Sequence, residues 1–148
     1  MIEPLEVKAA CNGILSNTFP DMKIYGMDTT GALDRPSFYT EIVPYILRYE
    51  TVNLVQQRVG FKISLMEEIT DEVFELTVFA RIRKAFGLKV PVGSRLLTVS
   101  DVEFEYTGVK NDVFQITVVL EWTDSITEQE SLDLMEILHY RETVNRNN

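Results

Sequence analysis

The chain has 148 residues, of which 45% are hydrophobic and 25% are charged, and its formal net charge is −9. This length favours one domain with a sizeable core, and no run of about 18 apolar residues predicts a membrane helix. The acidic charge argues against a broad grip on nucleic-acid phosphates, and the single cysteine excludes an internal disulfide. Because the N-terminus lacks a basic stretch followed by an apolar one, we expect a soluble, cytosolic product.

The start of the chain predicts a helix and a short strand. Apolar residues recur at helical spacing between Pro4 and Thr18, at Val7, Ala10, Cys11, Ile14 and Leu15. Pro4 suits the first turn of this helix, and Pro20 marks its end. A short strand at residues 23–25 then leads through Gly26 into a loop that is rich in Gly, Thr and Asp.

A long antiparallel hairpin is predicted next. Phe38, Thr40 and Ile42 alternate with polar and apolar neighbours, and the strand bends at Pro44, which cannot donate to a sheet ladder. Its partner strand places Val59, Phe61, Ile63 and Leu65 on one face. The segment ETVNLVQQ lies at or near the tip. We expect the end of so long a hairpin to protrude and to contact another molecule.

The second half predicts a helix, three strands and a final helix. The first helix runs from Thr70 to Phe86, because Thr70 or Asp71 can cap it, acidic residues fill its first turn and basic residues its last. The remaining elements are strands at residues 95–99, 101–107 and 112–122, a helix at 127–140 and a flexible tail at 141–148. The order α-β-β-β-α-β-β-β-α predicts one α+β domain over residues 1–148, with a mainly antiparallel mixed sheet.

Catalytic residue types are scarce. His139 is the single histidine, and Cys11 falls on the apolar stripe of the first helix, where a buried, inert thiol is expected. The sequence contains neither GxGxxG nor GxxxxGK. The sequence therefore predicts a protein that is not an enzyme and that needs no cofactor.

Three carboxylates, Asp101, Glu103 and Glu105, lie on one face of a predicted strand, with about 7 Å between neighbours. They could hold a hard cation, although such sites usually take ligands from several segments. A solvated or partner-facing strand surface is the simpler interpretation, and no metal site is predicted.

The densest basic cluster consists of Arg81, Arg83 and Lys84 at the end of the middle helix. Basic residues are favoured there by the helix dipole, and the same cluster could also contact an acidic protein surface or a phosphate backbone. Trp122, at the end of an alternating strand, is predicted to lie in the core.

The chain resembles the tail terminator, or tail completion, proteins of long-tailed bacteriophages and of tail-derived bacteriocins from Gram-positive bacteria. The resemblance rests on a helix ending in FPDMKIYG, a loop of about ten residues, and the strand RPSFYTEIVP. It continues through RVGFKI, the middle helix, VGSRLLTV and the closing strands around EYTGVKNDVFQITVVLEW. The order of elements agrees over nearly the whole chain.

The resemblance implies a structural protein of the virion tail that is made in the host cytoplasm. Such proteins form a ring, usually a hexamer, at the head-proximal end of the tail tube, where they stop polymerisation and present the surface that joins the head or neck. The implied partners are further copies of the chain, the tube protein, the head or neck connector and, in contractile tails, the sheath protein. DNA passes through without specific binding, and no membrane is involved.

Candidate surfaces follow from this resemblance and from the residue patterns. Asp101, Glu103 and Glu105 are candidates for an acidic pore wall or partner face, since repulsion of phosphates lets DNA pass. The loop and Arg35-Pro36 are expected at or beneath an interface, because proline fixes the backbone that enters the strand. The candidate interface residues are Arg35, Pro36, Arg48, Arg58, Lys62, Arg81, Arg83 and Lys84.

Two alternatives stay open at the level of the sequence. One is a head-side connector or neck adaptor, which is also a small α+β ring protein. The other is a small acidic protein that binds a metal or ligand on the face of Asp101, Glu103 and Glu105. The acidic charge further predicts that the protein is monomeric or weakly associated in dilute solution, with the ring forming on the tube end.

Overall fold

A computed structural model describes residues 1–26 and 33–125 of the chain. The elements in these ranges are, in chain order, α1 (Pro4–Thr18), β1 (Lys23–Tyr25), β2 (Ser37–Thr51), β3 (Leu54–Met66), α2 (Glu72–Phe86), β4 (Lys89–Val92), β5 (Arg95–Thr107) and β6 (Val113–Ser125). The six strands form one sheet in the order β1-β2-β3-β6-β5-β4. Only β1 and β2 are parallel, and the other neighbours are antiparallel. This mixed sheet with two helices confirms the α+β class.

The two helices form for the reasons that the sequence indicates. Helix α1 buries Val7, Cys11 and Leu15 at four-residue spacing, so one stripe faces the sheet. Burial raises the pKa of the Cys11 thiol to about 12, which leaves it protonated and unreactive at neutral pH. Helix α2 is capped by Asp71, whose side chain accepts hydrogen bonds from two backbone N–H groups, and it ends at Gly87 with φ +59°.

The core lies between these helices and one face of the sheet. Alternate residues of β3 and β6 point into it, so the two central strands are almost fully buried on that side. Aromatic rings fix α2 against the sheet, with ring centroids 6.1 Å apart for Phe61 and Phe86 and 5.3 Å apart for Phe79 and Phe104. Helix α1 contacts both β2 and β4, so the sheet curls around it.

The strands after α2 divide differently from the prediction. Residues 95–99 and 101–107 were expected as two strands, but they are one strand, β5, with a register shift between Val99 and Asp101. Ser100 is an extra residue in the ladder, so inward and outward side chains exchange places after it. In the sequence this change of alternation resembles the end of one strand and the start of another. Strand β4 was not predicted, because Pro91 and the flanking glycines favour a loop.

The hairpin of β2 and β3 is antiparallel over its whole length, and its ladder shifts register between Pro44 and Ile46, where the sequence predicts a bend. Its far end is not a two-stranded arm, however. Strand β6 stays beside β3 up to the pair of Leu54 and Ser125, so three strands reach the tip together. The predicted final helix at residues 127–140, the tail at 141–148 and His139 lie outside the described residues.

A buried carboxylate fixes the N-terminus to the tip end of the sheet. Asp124 is 2% exposed, and its Oδ2 accepts hydrogen bonds from the Ile2 backbone N–H (3.1 Å), Gln57 Nε2 (2.9 Å) and Trp122 Nε1 (2.9 Å). Its Oδ1 pairs with the Arg95 guanidinium. Four donors therefore compensate the cost of burying this charge. Trp122 is a core residue, as predicted.

We expect Asp124→Ala to lower the free energy of unfolding by about 3 kcal/mol, because it leaves several donors unsatisfied around a small cavity. Urea denaturation measures this change, and Thr123→Ala, at an exposed neighbour on the same strand, is the matched control. A loss below about 1 kcal/mol for Asp124→Ala would mean that the network is not a main constraint on the fold.

Candidate assembly surfaces

Two stretches of sheet edge have no neighbouring strand among the described residues. Strand β1 pairs only with Ser37–Tyr39 of β2, so residues 40–51 border no other described strand on that side. At the opposite side of the sheet, β4 pairs only with residues 95–98 of β5, which leaves residues 101–107 open. Backbone N–H and C=O groups along such edges can pair with a strand from another molecule. We call these stretches the β2 edge and the β5 edge.

The β2 edge carries features that limit indiscriminate pairing. Its register shifts twice, between Pro44 and Ile46 and between Tyr49 and Thr51. Pro44 provides no N–H group, and Arg48 places an exposed charge on the edge. Prolines, bulges and charges are common means of preventing aggregation at exposed edges, so this edge is suited to a specific partner rather than to any strand.

The face of β2, β3, β6 and β5 that points away from α1 and α2 is mainly acidic. We call it the outer face. The strand registers place five carboxylates and three cations on it: Glu41, Asp101, Glu103, Glu105, Glu121, Arg48, Arg58 and Lys62. Arg58 forms ion pairs with Asp101 (3.5 Å) and Glu121 (3.3 Å). Glu103 and Glu105 are exposed and form no ion pair with any described residue, so the acidic excess lies along β5.

The tip end of the hairpin exposes large apolar side chains. They are Tyr45, Leu47, Tyr49, Val52 and Leu54. The ring of Tyr45 lies over Gly60, where a Cβ atom would come within 2.3 Å of the tyrosine oxygen, so the close approach requires glycine unless the ring moves. A concentration of exposed apolar residues at one end of a molecule is typical of a contact surface.

The basic cluster on α2 does not act as a unit. The Arg81 guanidinium lies 4.2 Å from the centroid of the Phe19 ring and donates a hydrogen bond to the Thr18 carbonyl oxygen at the end of α1. Arg81 therefore joins the two helices. All three side chains are exposed, but Arg83 and Lys84 form no ion pair with a described residue.

The segment that enters β2 is held by its neighbours. Asp34 forms an ion pair with Lys23, which lowers the pKa of the Asp34 carboxyl and raises that of the Lys23 amine. Arg35 donates from Nη1 to the Glu67 carbonyl oxygen at 2.9 Å, and the peptide bond between Arg35 and Pro36 is cis. Residues 27–32 of the preceding loop, where an interface is predicted, lie outside the described residues.

One carboxylate of the acidic run at the start of α2 is buried, which was not predicted. Glu75 is fully buried, and neither of its carboxylate oxygens has a hydrogen-bond partner. Burial, followed by the charges of Asp71 and Glu72, raises the pKa of the Glu75 carboxyl. Burial and then the charge of Glu75 raise the pKa of Glu67. The burial of Glu75 could have been predicted from the sequence, because Glu75 lies three residues before Val78 and therefore on the same buried stripe of α2.

Nothing in the described structure indicates a metal centre. Residues 1–26 and 33–125 contain no group of three or more His, Cys, Asp or Glu side chains that could hold a metal ion. The face of Asp101, Glu103 and Glu105 thus provides no support for the metal-binding alternative. In the same ranges, no helix is both long and apolar enough to cross a membrane.

The fold, the unpaired edges and the charged outer face describe a small α+β protein suited to association. A family model described as phage tail terminator protein matches residues 6–132, and the chain belongs to this family of phage tail structural proteins. No curated protein sequence matches the chain. One solved structure aligns over 86% of this chain and 98% of its own, with a TM-score of 0.52 at 12% identity, which shows similarity of fold alone.

We expect Arg81→Ala to lower the free energy of unfolding by about 1 kcal/mol, because it removes the cation–π contact and the hydrogen bond to α1. Arg83→Ala is the matched control and is expected to change stability by less than about 0.5 kcal/mol. Chemical denaturation measures both. Equal effects of the two substitutions would contradict the structural role of Arg81.

We expect Glu75→Gln to raise the melting temperature at pH 7.5 by roughly 3 °C. The raised pKa means that the folded protein binds the Glu75 proton more tightly than the unfolded chain does, so stability falls as pH rises above the ordinary value of 4.5. The advantage of the variant should therefore vanish near pH 4. The other ionisable side chains near this site are those of Glu67, Asp71, Glu72 and Tyr106. Glu103→Gln, at an exposed position on the opposite face of the sheet, is the control, and a pH-independent gain would contradict the prediction.

Proposed function

We propose that this protein forms a ring on the head-proximal end of the tail tube, ends tube polymerisation and provides the surface that joins the head or neck. Membership in the tail terminator family supports this role. The structural observation on which the proposal mainly rests is the arrangement of the two open sheet edges. Each copy offers one edge on each side of its sheet, which is what a head-to-tail association requires.

The strand directions make the two edges compatible. Because β2, β3, β6 and β5 alternate in direction, β5 runs antiparallel to β2 within one copy. The β5 edge of one copy beside the β2 edge of the next therefore continues an antiparallel sheet. The open stretch of β2 lies towards the hairpin tip, whereas that of β5 lies away from it. Neighbouring copies would consequently be offset along the strands, as tilted strands in a closed ring are.

The charge distribution favours one orientation of this ring. In this orientation α1 and α2 lie on the outer surface of the ring. The outer face of each sheet, which points away from the helices, then lines the central channel and brings Glu103 and Glu105 next to the path of DNA. Phosphate repulsion from such a wall lets DNA pass without binding. The ion pairs of Arg58 with Asp101 and Glu121 neutralise part of that charge at the centre of the face.

The remaining candidate residues would serve the axial contacts. Arg48 lies at the hairpin tip among exposed apolar side chains, a combination that is suited to an interface with the tube protein or the connector. Arg83 and Lys84 extend outward from α2, where a sheath protein would lie in a contractile tail. The protein would assemble in the host cytoplasm, with the ring forming on the finished tube.

Deletion of the gene in a host that produces particles tests this proposal, with tail length measured by electron microscopy. We expect overlong tails, or tails of scattered length, without attached heads, because nothing stops tube growth. Re-expression of the intact gene is the control. Tails of normal, uniform length that lack heads would favour a neck adaptor instead, and unchanged infectious particles would contradict a role in assembly.

A further inference from the structure

The hairpin tip carries exposed apolar side chains on the side of the sheet that α1 and α2 cover elsewhere. Leu47 lies opposite Gln57, and Tyr49 lies opposite Val55. The Gln57 side chain donates to the carbonyl oxygen of Ile2, just before α1, so Gln57 and Val55 point to the helix side. Directly opposite residues of antiparallel strands share a face, yet Leu47 and Tyr49 remain 48% and 42% exposed. We call these two side chains the inner tip face.

The last described residue, Ser125, lies at the same tip. It pairs with Leu54 of β3, so it is two strand spacings, or roughly 10 Å, from β2. It also lines a cleft of about 450 Å³, whose other residues are Met1, Ile2, Arg95, Thr123 and Asp124. Because this cleft adjoins the N-terminal residues, the chain continues from a point beside the inner tip face.

The sequence after β6 predicts an amphipathic helix over residues 127–140. Leu134, Ile137 and Leu138 recur at the i, i+3, i+4 spacing of one apolar stripe, and Glu136 falls on the opposite side. Such a helix would be about 21 Å long. A helix of this length gains most of its stability from packing of its apolar stripe, so the stripe requires an apolar surface to cover it.

A second exposed apolar surface lies beside α2 and suits this segment less well. It includes Phe104 and Tyr106 of β5. Tyr106 pairs with Phe114, eleven residues before Ser125 on β6, so it lies about 36 Å from the point where the segment begins. Residues 127–140 contain four Asp or Glu and no Lys or Arg. The acidic first turn of α2, including Glu72, would therefore repel them.

We propose that residues 127–140 dock as a helix on the inner tip face of their own chain, with Leu134 and Leu138 against Leu47 and Tyr49. Docking removes both apolar surfaces from water, and the hydrophobic effect stabilises the contact. It also shields part of the tip in the free protein, which agrees with the expected weak self-association. If the tip contacts the tube protein or the connector, that partner competes with the segment for the inner tip face. This last consequence alone rests on the proposed function.

Paramagnetic broadening in NMR spectra of the purified full-length protein tests the contact. A nitroxide is attached at Glu136→Cys, on the polar side of the predicted helix, while buried Cys11 should not react. We expect strong broadening of the amide signals of Leu47, Tyr49 and Val55. A mixed sample, in which the nitroxide and the isotope label are on different copies, should show no such broadening.

Substitutions in the labelled protein check that the apolar side chains make the contact. Leu134→Ser/Leu138→Ser and, separately, Leu47→Ser should each remove most of the broadening at the tip. Val109→Ser is the matched control, because Val109 is an exposed apolar residue in the turn between β5 and β6, at the other end of the sheet. It should leave the broadening unchanged.

Three results would overturn the proposal. Absence of broadening at the tip would show that the segment does not dock there. Broadening around Phe104 and Tyr106 instead would assign it to the surface beside α2, and equal broadening in the mixed sample would assign the contact to a second copy. The experiment uses the free protein, so a negative result would leave the proposed role in tail assembly unaffected, and the gene deletion tests that role separately.

Discussion

Strands β3 and β6 pair at the centre of the sheet and determine where the helices and the other strands lie. The two strands stay in register from the pair of Leu54 and Ser125 to that of Leu65 and Phe114. Their inward side chains form the core under α1 and α2, and their length carries the sheet out to the hairpin tip. Because both strands are central, β2 and β5 become the outer long strands. Strands β1 and β4 are too short to pair with the full length of β2 and β5.

The features that suit this protein to assembly follow from that geometry. The β2 edge and the β5 edge present backbone N–H and C=O groups that can pair with strands of other molecules. The bulges of β2 limit which strands can pair with it. The same sheet separates an apolar face, buried under the helices, from a charged one that remains available. The network of Asp124 joins the N-terminus to β3, β5 and β6 near the tip end of the sheet.

The acidic cluster at the other end of the sheet has a different energetic character. Asp124 is buried with four donors around it, whereas Glu75 is buried with none. The first arrangement stabilises the isolated fold. The second arrangement destabilises the fold when Glu75 is ionised, and protonation of its carboxyl relieves that cost.

Much of the fold could be predicted from local patterns. The bounds of α1 and β1, the hairpin and the capping of α2 by Asp71 all follow from periodicity and from the positions of proline, glycine and acidic residues. Strand β4 could not be predicted, because its place in the sheet depends on β5 rather than on its own composition. The bulge at Ser100 looked like a strand break for a related reason, since only the pairing with β6 keeps β5 continuous.

The candidate surfaces were predictable only in part. Alternation in the sequence was enough to place Asp101, Glu103 and Glu105 on one exposed face. The open edges were not predictable, because an edge is defined by which strands are absent beside it. The role of Arg81 also required the structure, since its contacts with Thr18 and Phe19 join residues that are far apart in the chain.

Cysteine cross-linking in purified tails would show whether the β2 edge of one copy meets the β5 edge of the next, as we propose. Glu41→Cys would be combined in turn with Asp101→Cys, Glu103→Cys or Glu105→Cys. The bismaleimide spacer should be shorter than the roughly 14 Å that three strand spacings place between β2 and β5 within one copy. Buried Cys11 should not react. We predict a ladder of covalent oligomers that ends at the ring size for at least one pair, and none for any single variant. No ladder from any pair, or dimers from Glu41→Cys alone, would contradict the account.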